Sequence, residues 1–263
     1  MDFQRLGFDI PAAPAEAWRS YDHADPQPGY YQFDWLSSRH PDLYHSFALS
    51  TVGLIEELHR LVDLSGLVVV DVGAGTGRSS VGVAAKAGRV LAVDRFPSVV
   101  EFGRGVARTA GAEIVQYAVA DRAALPVRDS SCDVVMTAWA ESDLLEAHRA
   151  LRPEGLLILM GANPRALSGE LSAVLETGDA PTEWFLPRCP PSDEEIEDPG
   201  WPVPLSCPLR VRDFTYVADY GTVDECAAII GRIFGPQAES YIQTRAQSTL
   251  AWRLRIYLAR LRK

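Results

Sequence analysis

A short glycine-rich segment carries the residues whose types and spacing suggest ligand chemistry. It reads VVVDVGAGTGRSS, with Asp71 before the first glycine and Gly73, Gly75 and Gly77 at alternate positions. Glycines let the backbone turn sharply and let a ligand approach closely, because they have no Cβ. If a helix follows the turn, its free N–H groups point toward that ligand. The segment therefore predicts a small-molecule binding loop between a strand and a helix.

The glycine spacing separates this loop from two nucleotide-binding motifs. The dinucleotide fingerprint Gly-x-Gly-x-x-Gly would place its third glycine at position 78, which is Arg78 here. A phosphate-binding P-loop is excluded because no Gly-Lys-Ser/Thr follows. A nucleotide-dependent oxidoreductase is therefore disfavoured, although an ordinary structural turn would also explain an isolated glycine-rich loop.

Two further acidic residues follow the next two predicted strands. Asp94 ends the run RVLAVD, where its carboxylate could accept hydrogen bonds from both hydroxyls of a ribose. Asp121 follows AEIVQYAVA, where it could contact an adenine amino group. Each residue alone is also consistent with an ordinary loop acid. Because the carboxyl ends of consecutive parallel strands form one crevice, the three acids together favour a nucleoside-type ligand.

The elements that would position these residues alternate between strand and helix. Short apolar, β-branched runs are typical of strands buried on both faces. They occur at 67–72, 89–94, 112–120, 132–139 and 155–161, and helices are predicted from the glycine loop to about Ala87, at 97–111 and at 141–152. This alternation indicates parallel β-α-β units, so the predicted fold class is α/β with a doubly wound sheet.

The flanking segments complete a single predicted domain over residues 1–263, with 66–161 as its ligand-binding core. Residues 1–65 predict an N-terminal helical cap, in which the apolar spacing from Leu43 to Leu61 fits one helix face. Residues 162–208 are rich in proline and predict an insertion or lid. Residues 209–263 predict a strand at 210–220, a helix with a Thr222/Glu225 capping box, a second helix and a last strand at 250–261.

Composition and charge narrow the class of protein. The formal net charge of −10 over 263 residues disfavours nucleic acid as the main partner. The four cysteines form no Cys-x-x-Cys pair, so we expect no metal site and no disulfide framework. No signal-peptide pattern is visible, and no apolar run approaches ~20 residues. We therefore expect a cytoplasmic monomer or homodimer without a membrane partner.

Taken together, these motifs resemble the class I S-adenosylmethionine-dependent methyltransferases, in particular the ubiquinone/menaquinone-type branch. The similar segments are VVVDVGAGTG, LAVDRF, ADRAALPVRDSSCDVVMTAW and EAHRALRPEGLLIL, which lie within roughly residues 67–161. The resemblance implies a sheet of seven strands whose last strand, 250–261, runs antiparallel between the fifth and the sixth. The segment TAWA after the fourth strand differs from the Asn/Asp-Pro-Pro-Tyr/Phe motif of DNA and protein-glutamine amino methyltransferases.

The same resemblance implies S-adenosylmethionine as the cofactor and points to the residues that would bind it. The glycine loop would hold the methionine portion, the second strand would end at the ribose, and the third would end at the adenine. The residue just past the fourth strand would lie near the sulfonium. The implied cofactor-binding residues are Asp71, Gly73, Ala74, Gly75, Gly77, Asp94, Arg95, Asp121, Arg122 and Trp139.

The acceptor is expected to be a small molecule, and the sequence leaves an O, N or C nucleophile open. Methyl transfer from a sulfonium is an in-line displacement that depends mainly on alignment and exclusion of water. Four tyrosines outside the core could line an apolar acceptor pocket, or they could simply pack the N-terminal segment onto the sheet. These residues are Tyr21, Tyr30, Tyr31 and Tyr44.

Two residues are candidates for the general base that a hydroxyl or acidic-carbon acceptor would need. They are His45, for which packing beside an apolar helix stripe is an equally good interpretation, and Glu141, which the dipole at a helix start would favour without catalysis. The alternative hypothesis from another class is a non-catalytic module that binds S-adenosylmethionine or S-adenosylhomocysteine.

Overall fold

The computed structural model describes residues 32–163, residue 171 and residues 210–262. Three of the tyrosines proposed for the acceptor pocket, Tyr21, Tyr30 and Tyr31, lie outside these residues, as does nearly all of the segment 162–208.

Seven strands of the described chain form one sheet in the order β3-β2-β1-β4-β5-β7-β6. The strands are β1 Val68–Val72, β2 Arg89–Asp94, β3 Val115–Val119, β4 Cys132–Ala138, β5 Leu151–Ala162, β6 Arg210–Asp219 and β7 Thr249–Arg260. Strands β1 to β5 pair in parallel, and β7 is antiparallel to both β5 and β6. The predicted doubly wound sheet, with its last strand inserted between the fifth and sixth, is confirmed.

Among the described helices, three precede β1 along the chain and five connect later strands. These helices are α1 Gln32–Arg39, α2 Pro41–Phe47, α3 Ser50–Leu61, α4 Arg78–Ala84, α5 Pro97–Thr109, α6 Leu144–Ala150, α7 Val223–Phe234 and α8 Pro236–Arg245. The predicted capping box at the start of α7 is present, because Thr222 and Glu225 exchange side-chain to backbone hydrogen bonds. Among the described helices, none combines the length and apolarity needed to cross a lipid bilayer.

The centre of the sheet is buried on both faces, as its apolar runs predict. Val69 and Val70 of β1 point to opposite faces, and each has no exposed surface. On one face, Leu54 and Leu58 of α3 join the core that includes Val69. On the other face, Ala147 of α6 joins the core that includes Val70. This double burial fixes the register of β1 and therefore the point at which the glycine loop leaves the sheet.

The single helix predicted from Leu43 to Leu61 is wrong, since the structure has two helices with a break at Ala48 and Leu49. The N–H of Leu49 bonds to the carbonyl of Phe47, two residues away, in place of a helical partner. The break changes the direction of the chain. As a result α3 packs on the sheet, while Tyr44 of α2 lies beside the glycine loop.

The boundaries around α6 also differ from the prediction. The helix begins only after Asp143, whose side chain accepts a hydrogen bond from the N–H of Glu146 and caps the first turn. Strand β5 begins at Leu151, because this residue already pairs with Cys132 ahead of an irregularity in the β4–β5 register.

Candidate functional site

Three glycines turn the chain from β1 into α4. Gly73, Gly75 and Gly77 have φ angles of +66°, +54° and +85°, in the left-handed region that favours glycine. A Cβ at Gly77 would lie 2.1 Å from the hydroxyl oxygen of Tyr117, and one at Gly73 would lie 2.4 Å from Cβ of Ala140. The loop therefore has the backbone conformation that its sequence predicts, and side chains of the protein pack closely against two of its glycines.

Asp94 at the end of β2 holds the middle of this loop. One of its carboxylate oxygens accepts the N–H of Gly75 at 3.0 Å, and the other accepts the N–H of Phe96 at 3.0 Å. Burial raises the pKa of Asp94, and the two N–H bonds oppose this increase. Each oxygen can accept a further hydrogen bond. The structure thus brings Gly75 and Asp94 together, and the two carboxylate oxygens of Asp94 are acceptors that would suit a diol.

Asp71 lies beneath the loop and has no exposed surface. Its Oδ2 accepts hydrogen bonds from the hydroxyls of Ser79 at 2.7 Å and Ser80 at 2.6 Å, at the start of α4. Burial raises the pKa of Asp71 to about 6. Its Oδ1 is also buried and accepts no hydrogen bond from the described residues. Asp71 thus stabilises the start of α4 through Oδ2, and its Oδ1 remains an acceptor beneath the glycine turn.

Helix α1 lies across the tips of the strands at this edge. The carboxylate of Asp34 forms an ion pair with Arg95, the residue that follows Asp94. The hydroxyl of Ser98 donates to the carbonyl of Ser38 at 2.6 Å. Burial raises the pKa of Asp34, and its carboxyl also interacts electrostatically with Arg122 and Glu141. No sequence pattern pointed to Asp34, because it lies far from the motifs along the chain.

Tyr44 of α2 is the one predicted acceptor-pocket tyrosine that the structure describes. A Cβ at Gly75 would lie 3.5 Å from its ring, so the ring lies over the middle of the loop. Burial raises the pKa of the Tyr44 hydroxyl, and the nearby carboxylates of Asp94 and Asp34 raise it further. Tyr44 is therefore a neutral aromatic wall of this crevice.

The residues proposed for the adenine end lie after β3 and β4. Asp121 is exposed and accepts the N–H of Ala123 through Oδ1 at 2.9 Å. Arg122 forms an ion pair with Glu141, with 2.6 Å between Nη1 and Oε2. A proposed cofactor residue and a proposed base are therefore partners. Their ion pair joins the segments that follow β3 and β4, which are consecutive along the chain but separated by β2 and β1 in the sheet.

Trp139 follows β4 with an uncommon backbone conformation for a bulky residue. Its φ is +62°, and its backbone N–H donates to the carbonyl of Met160 at 2.9 Å. The indole packs edge-on against Trp252, with ring centroids 6.0 Å apart. Its Nε1 is buried and makes no hydrogen bond within the described residues. Strained backbone of this kind concentrates at functional sites.

His45 is enclosed behind the glycine loop. The residue is 1% exposed, and its Nδ1 shares a hydrogen bond with Oγ1 of Thr76 at 2.8 Å. Arg78 donates from Nη2 to the carbonyl of His45 at 2.7 Å. Burial lowers the pKa of His45 well below its usual value, and Arg78 lowers it further. The imidazole is therefore neutral near pH 7.

Comparison with known proteins gives the class of this site. Residues 70–159 match a family described as a methyltransferase domain. A demethylmenaquinone methyltransferase from Clavibacter sepedonicus is 32% identical over 103 residues, which are 36% of this chain and 41% of that protein. The match thus spans about two fifths of the length of this curated relative.

Solved structures show the same fold. YcgJ from Bacillus subtilis superposes with a TM-score of 0.54 at 16% identity, covering 81% of this chain and 99% of that chain. A structure that concerns conversion of a disulfide bond into a thioacetal group during echinomycin biosynthesis gives a TM-score of 0.50 at 18% identity, covering 80% of this chain and 84% of that chain. At these identities the similarity shows the fold alone.

The sheet order and the matched segment define a class I methyltransferase fold. The predicted resemblance is confirmed over residues 70–159, which match a methyltransferase-domain family, and this similarity supports S-adenosylmethionine as the cofactor. The residues present fit this cofactor. The turn at Gly73, Gly75 and Gly77 has positive φ angles that side chains rarely adopt, and Asp94 presents two acceptor oxygens beside it.

Proposed function

We propose that the chain transfers a methyl group from S-adenosylmethionine to a small-molecule acceptor. The observation that carries the proposal is the hydrogen bond from Gly75 to Asp94, which joins the glycine turn to the acid that would hold the ribose. Because this bond lies within the segment matched to methyltransferase domains, it supports a working cofactor site.

Each part of the cofactor has a group of residues in this proposal. The glycine loop, with Ala74, would hold the methionine portion, and Asp71 beneath it would support the loop. Asp94 and Arg95 would hold the ribose, and Asp121 with Arg122 would contact the adenine. Trp139 would lie near the sulfonium, where its partly buried ring excludes water.

When bound, S-adenosylmethionine supplies a methyl group on a positively charged sulfur that departs as a neutral thioether. The protein therefore needs mainly to align the acceptor and to keep water out. The described residues suit this task, because Trp139 belongs to a cluster of packed aromatic rings. Phe47 contacts Trp252 at 5.8 Å between ring centroids, and Trp252 in turn contacts Trp139.

An aromatic cluster beside the proposed sulfonium position would favour an apolar or planar acceptor. Phe33 extends the cluster, with its ring stacked on Phe47 at 5.7 Å between centroids. The name of the Clavibacter relative indicates a methyl acceptor of the menaquinone type, so hydroxylated aromatic compounds are the first class to test.

A general base belongs to the proposal only for a hydroxyl or acidic-carbon acceptor. Of the two candidates, Glu141 is the better placed, because its side chain is 33% exposed and can reach a ligand. The ring of His45 is enclosed, and its Nδ1 already bonds to Thr76.

Transfer of a labelled methyl group tests the function with a panel of hydroxylated aromatic, amine and carbon-acid acceptors. We expect turnover with at least one class. For a hydroxyl acceptor, Glu141→Gln should lower the rate by roughly 10²-fold or more. Glu101→Gln, on the outer face of α5, is the matched control and should leave the rate unchanged.

S-adenosylhomocysteine binding without turnover of any acceptor would instead support the non-catalytic binding module. A protein that binds no S-adenosylhomocysteine would contradict both hypotheses.

A further inference from the structure

Helix α2 contacts the glycine loop at consecutive loop positions. The ring of Tyr44 lies over Gly75, and the imidazole of His45 bonds to the hydroxyl of Thr76. Arg78, the first residue of α4, donates to the carbonyl of His45. The loop is thus held from outside the matched domain, because α2 precedes residue 70.

Thr76 is the point at which this contact can act on the backbone. It lies between Gly75 and Gly77, both at positive φ, and it is 2% exposed. Glycine-rich segments have many accessible conformations, so fixing one of them costs conformational entropy. A side-chain bond to the residue between two glycines limits that freedom before any ligand binds, and such preorganisation strengthens binding.

The imidazole is suited to this task. It is neutral because burial lowers its pKa, so no charge is enclosed behind the loop. The ring of Phe102 in α5 packs against it, with centroids 5.6 Å apart, and limits its rotation. His45 therefore presents Nδ1 to Thr76 from a fixed position.

We propose that His45 is a positioning residue that holds the glycine loop in its cofactor-binding conformation through the hydroxyl of Thr76. The inference rests on the proposed function, since it concerns the same cofactor site. It assigns to His45 a part in cofactor binding in place of proton transfer.

Matched substitutions at both ends of the bond test this assignment. In His45→Asn the amide lies near the position of Nδ1, whereas in His45→Gln it lies near Nε2. Thr76→Ser keeps the hydroxyl, and Thr76→Val replaces it with a methyl group of similar shape. Affinity for S-adenosylhomocysteine by calorimetry is the main readout, and thermal melting confirms that each variant is folded.

We expect His45→Gln and Thr76→Val each to weaken S-adenosylhomocysteine binding by about 2- to 10-fold, the range for loss of one neutral hydrogen bond. His45→Asn and Thr76→Ser should bind within about 2-fold of the unchanged protein. The double variant His45→Gln/Thr76→Val should be no weaker than either single variant, because both remove the same bond. Hydrogen exchange of residues 72–80 without ligand should be faster in both weakened variants.

Steady-state kinetics separate positioning from proton transfer. The inference predicts a raised KM for S-adenosylmethionine in His45→Gln and rescue in His45→Asn. A lower kcat in both His45 variants, with unchanged S-adenosylhomocysteine affinity, would make His45 a base and overturn the inference. Equal weakening by the Asn and Gln variants, or additive effects in the double variant, would also overturn it.

A failure of the proposed function can be distinguished from a failure of the positioning role. If the unchanged protein binds no S-adenosylhomocysteine, both proposals are wrong. If it binds and turns over but the four variants match it, only the positioning role is wrong.

Discussion

Asp71 shows how one buried carboxyl links the site to the stability of the fold. It is fully buried, and two serine hydroxyls at the start of α4 are its hydrogen-bond donors. These two bonds favour the charged form, but burial outweighs them and raises the pKa of Asp71 to about 6. A carboxyl that is easier to protonate in the folded than in the unfolded chain makes stability depend on pH.

We predict that Asp71 makes the fold less stable as the pH rises from about 4 to about 7. Below the pKa of the unfolded chain the carboxyl is protonated in both the folded and the unfolded state, and its contribution to the free energy of unfolding is largest. As the pH rises through about 6, the folded state must hold a buried charge, and up to about 3 kcal/mol is lost. Asp71→Asn carries no titrating group at this position, so its free energy of unfolding should rise relative to the unchanged protein over this range.

Urea unfolding of both proteins at pH 4, 5.5 and 7 measures this difference. All other titrating groups are shared and cancel in the comparison. A difference in the free energy of unfolding that stays constant across the three pH values would contradict the assigned protonation of Asp71.

At this scale the sequence predicted the loop better than its surroundings. Gly73, Gly75 and Asp94 could be placed because a strand end and a glycine turn leave few local conformations. The contact of His45 with Thr76 could not be predicted, since the two residues are 31 positions apart and neither belongs to a shared pattern. The same holds for Asp34 and Arg95, which meet only because α1 lies across the sheet edge.

At the scale of elements, α1 and α2 pack as a cover over the proposed cofactor crevice. The Asp34–Arg95 pair and the Ser98–Ser38 bond hold α1 against the start of α5. Tyr44 and His45 hold α2 against the glycine loop. A ligand in the crevice would leave fastest when these contacts open.

We predict that Asp34→Asn increases the dissociation rate of S-adenosylhomocysteine by about 1.5- to 5-fold, the range for a partly exposed ion pair. Stopped-flow displacement at low salt measures this rate. Glu101→Gln breaks a comparable exposed pair with Arg104 on α5 and is the matched control.

High salt should reduce the difference in dissociation rate between Asp34→Asn and the unchanged protein, because salt screens exposed charges. Equal dissociation rates for all three proteins at low salt would show that the Asp34–Arg95 pair does not hold the cover.

The elements themselves were largely predictable, with one instructive exception. Two local signals are confirmed by the structure. They are the β-branched run around Val69 and Val70 and the capping box of Thr222 and Glu225. The break between α2 and α3 was missed because the apolar spacing continues across it and neither Ala48 nor Leu49 interrupts a helix. Tertiary contacts on both sides of the break decide it.

At the scale of the whole molecule, the strand order follows from two different kinds of information. Alternating strands and helices predict parallel strands in a doubly wound sheet, which β1 to β5 form in the observed order β3-β2-β1-β4-β5. The position of β7 between β5 and β6 came from the family resemblance alone, because a run of alternating residues does not reveal its partners. The observed order places the ends of β1, β2 and β4 side by side, which is what assembles the site from distant residues.

Calorimetry with S-adenosylhomocysteine tests the cofactor site most directly, using the unchanged protein, Asp94→Ala, Gly75→Val and Glu101→Gln, with NAD as the competing ligand. We predict that the unchanged protein and Glu101→Gln bind S-adenosylhomocysteine and do not bind NAD. Asp94→Ala and Gly75→Val should each weaken binding by about 10- to 100-fold while the fold stays intact, because one removes a charged acceptor and the other strains a left-handed turn. Unchanged affinity in both variants, or preference for NAD, would contradict the assignment of this crevice to S-adenosylmethionine.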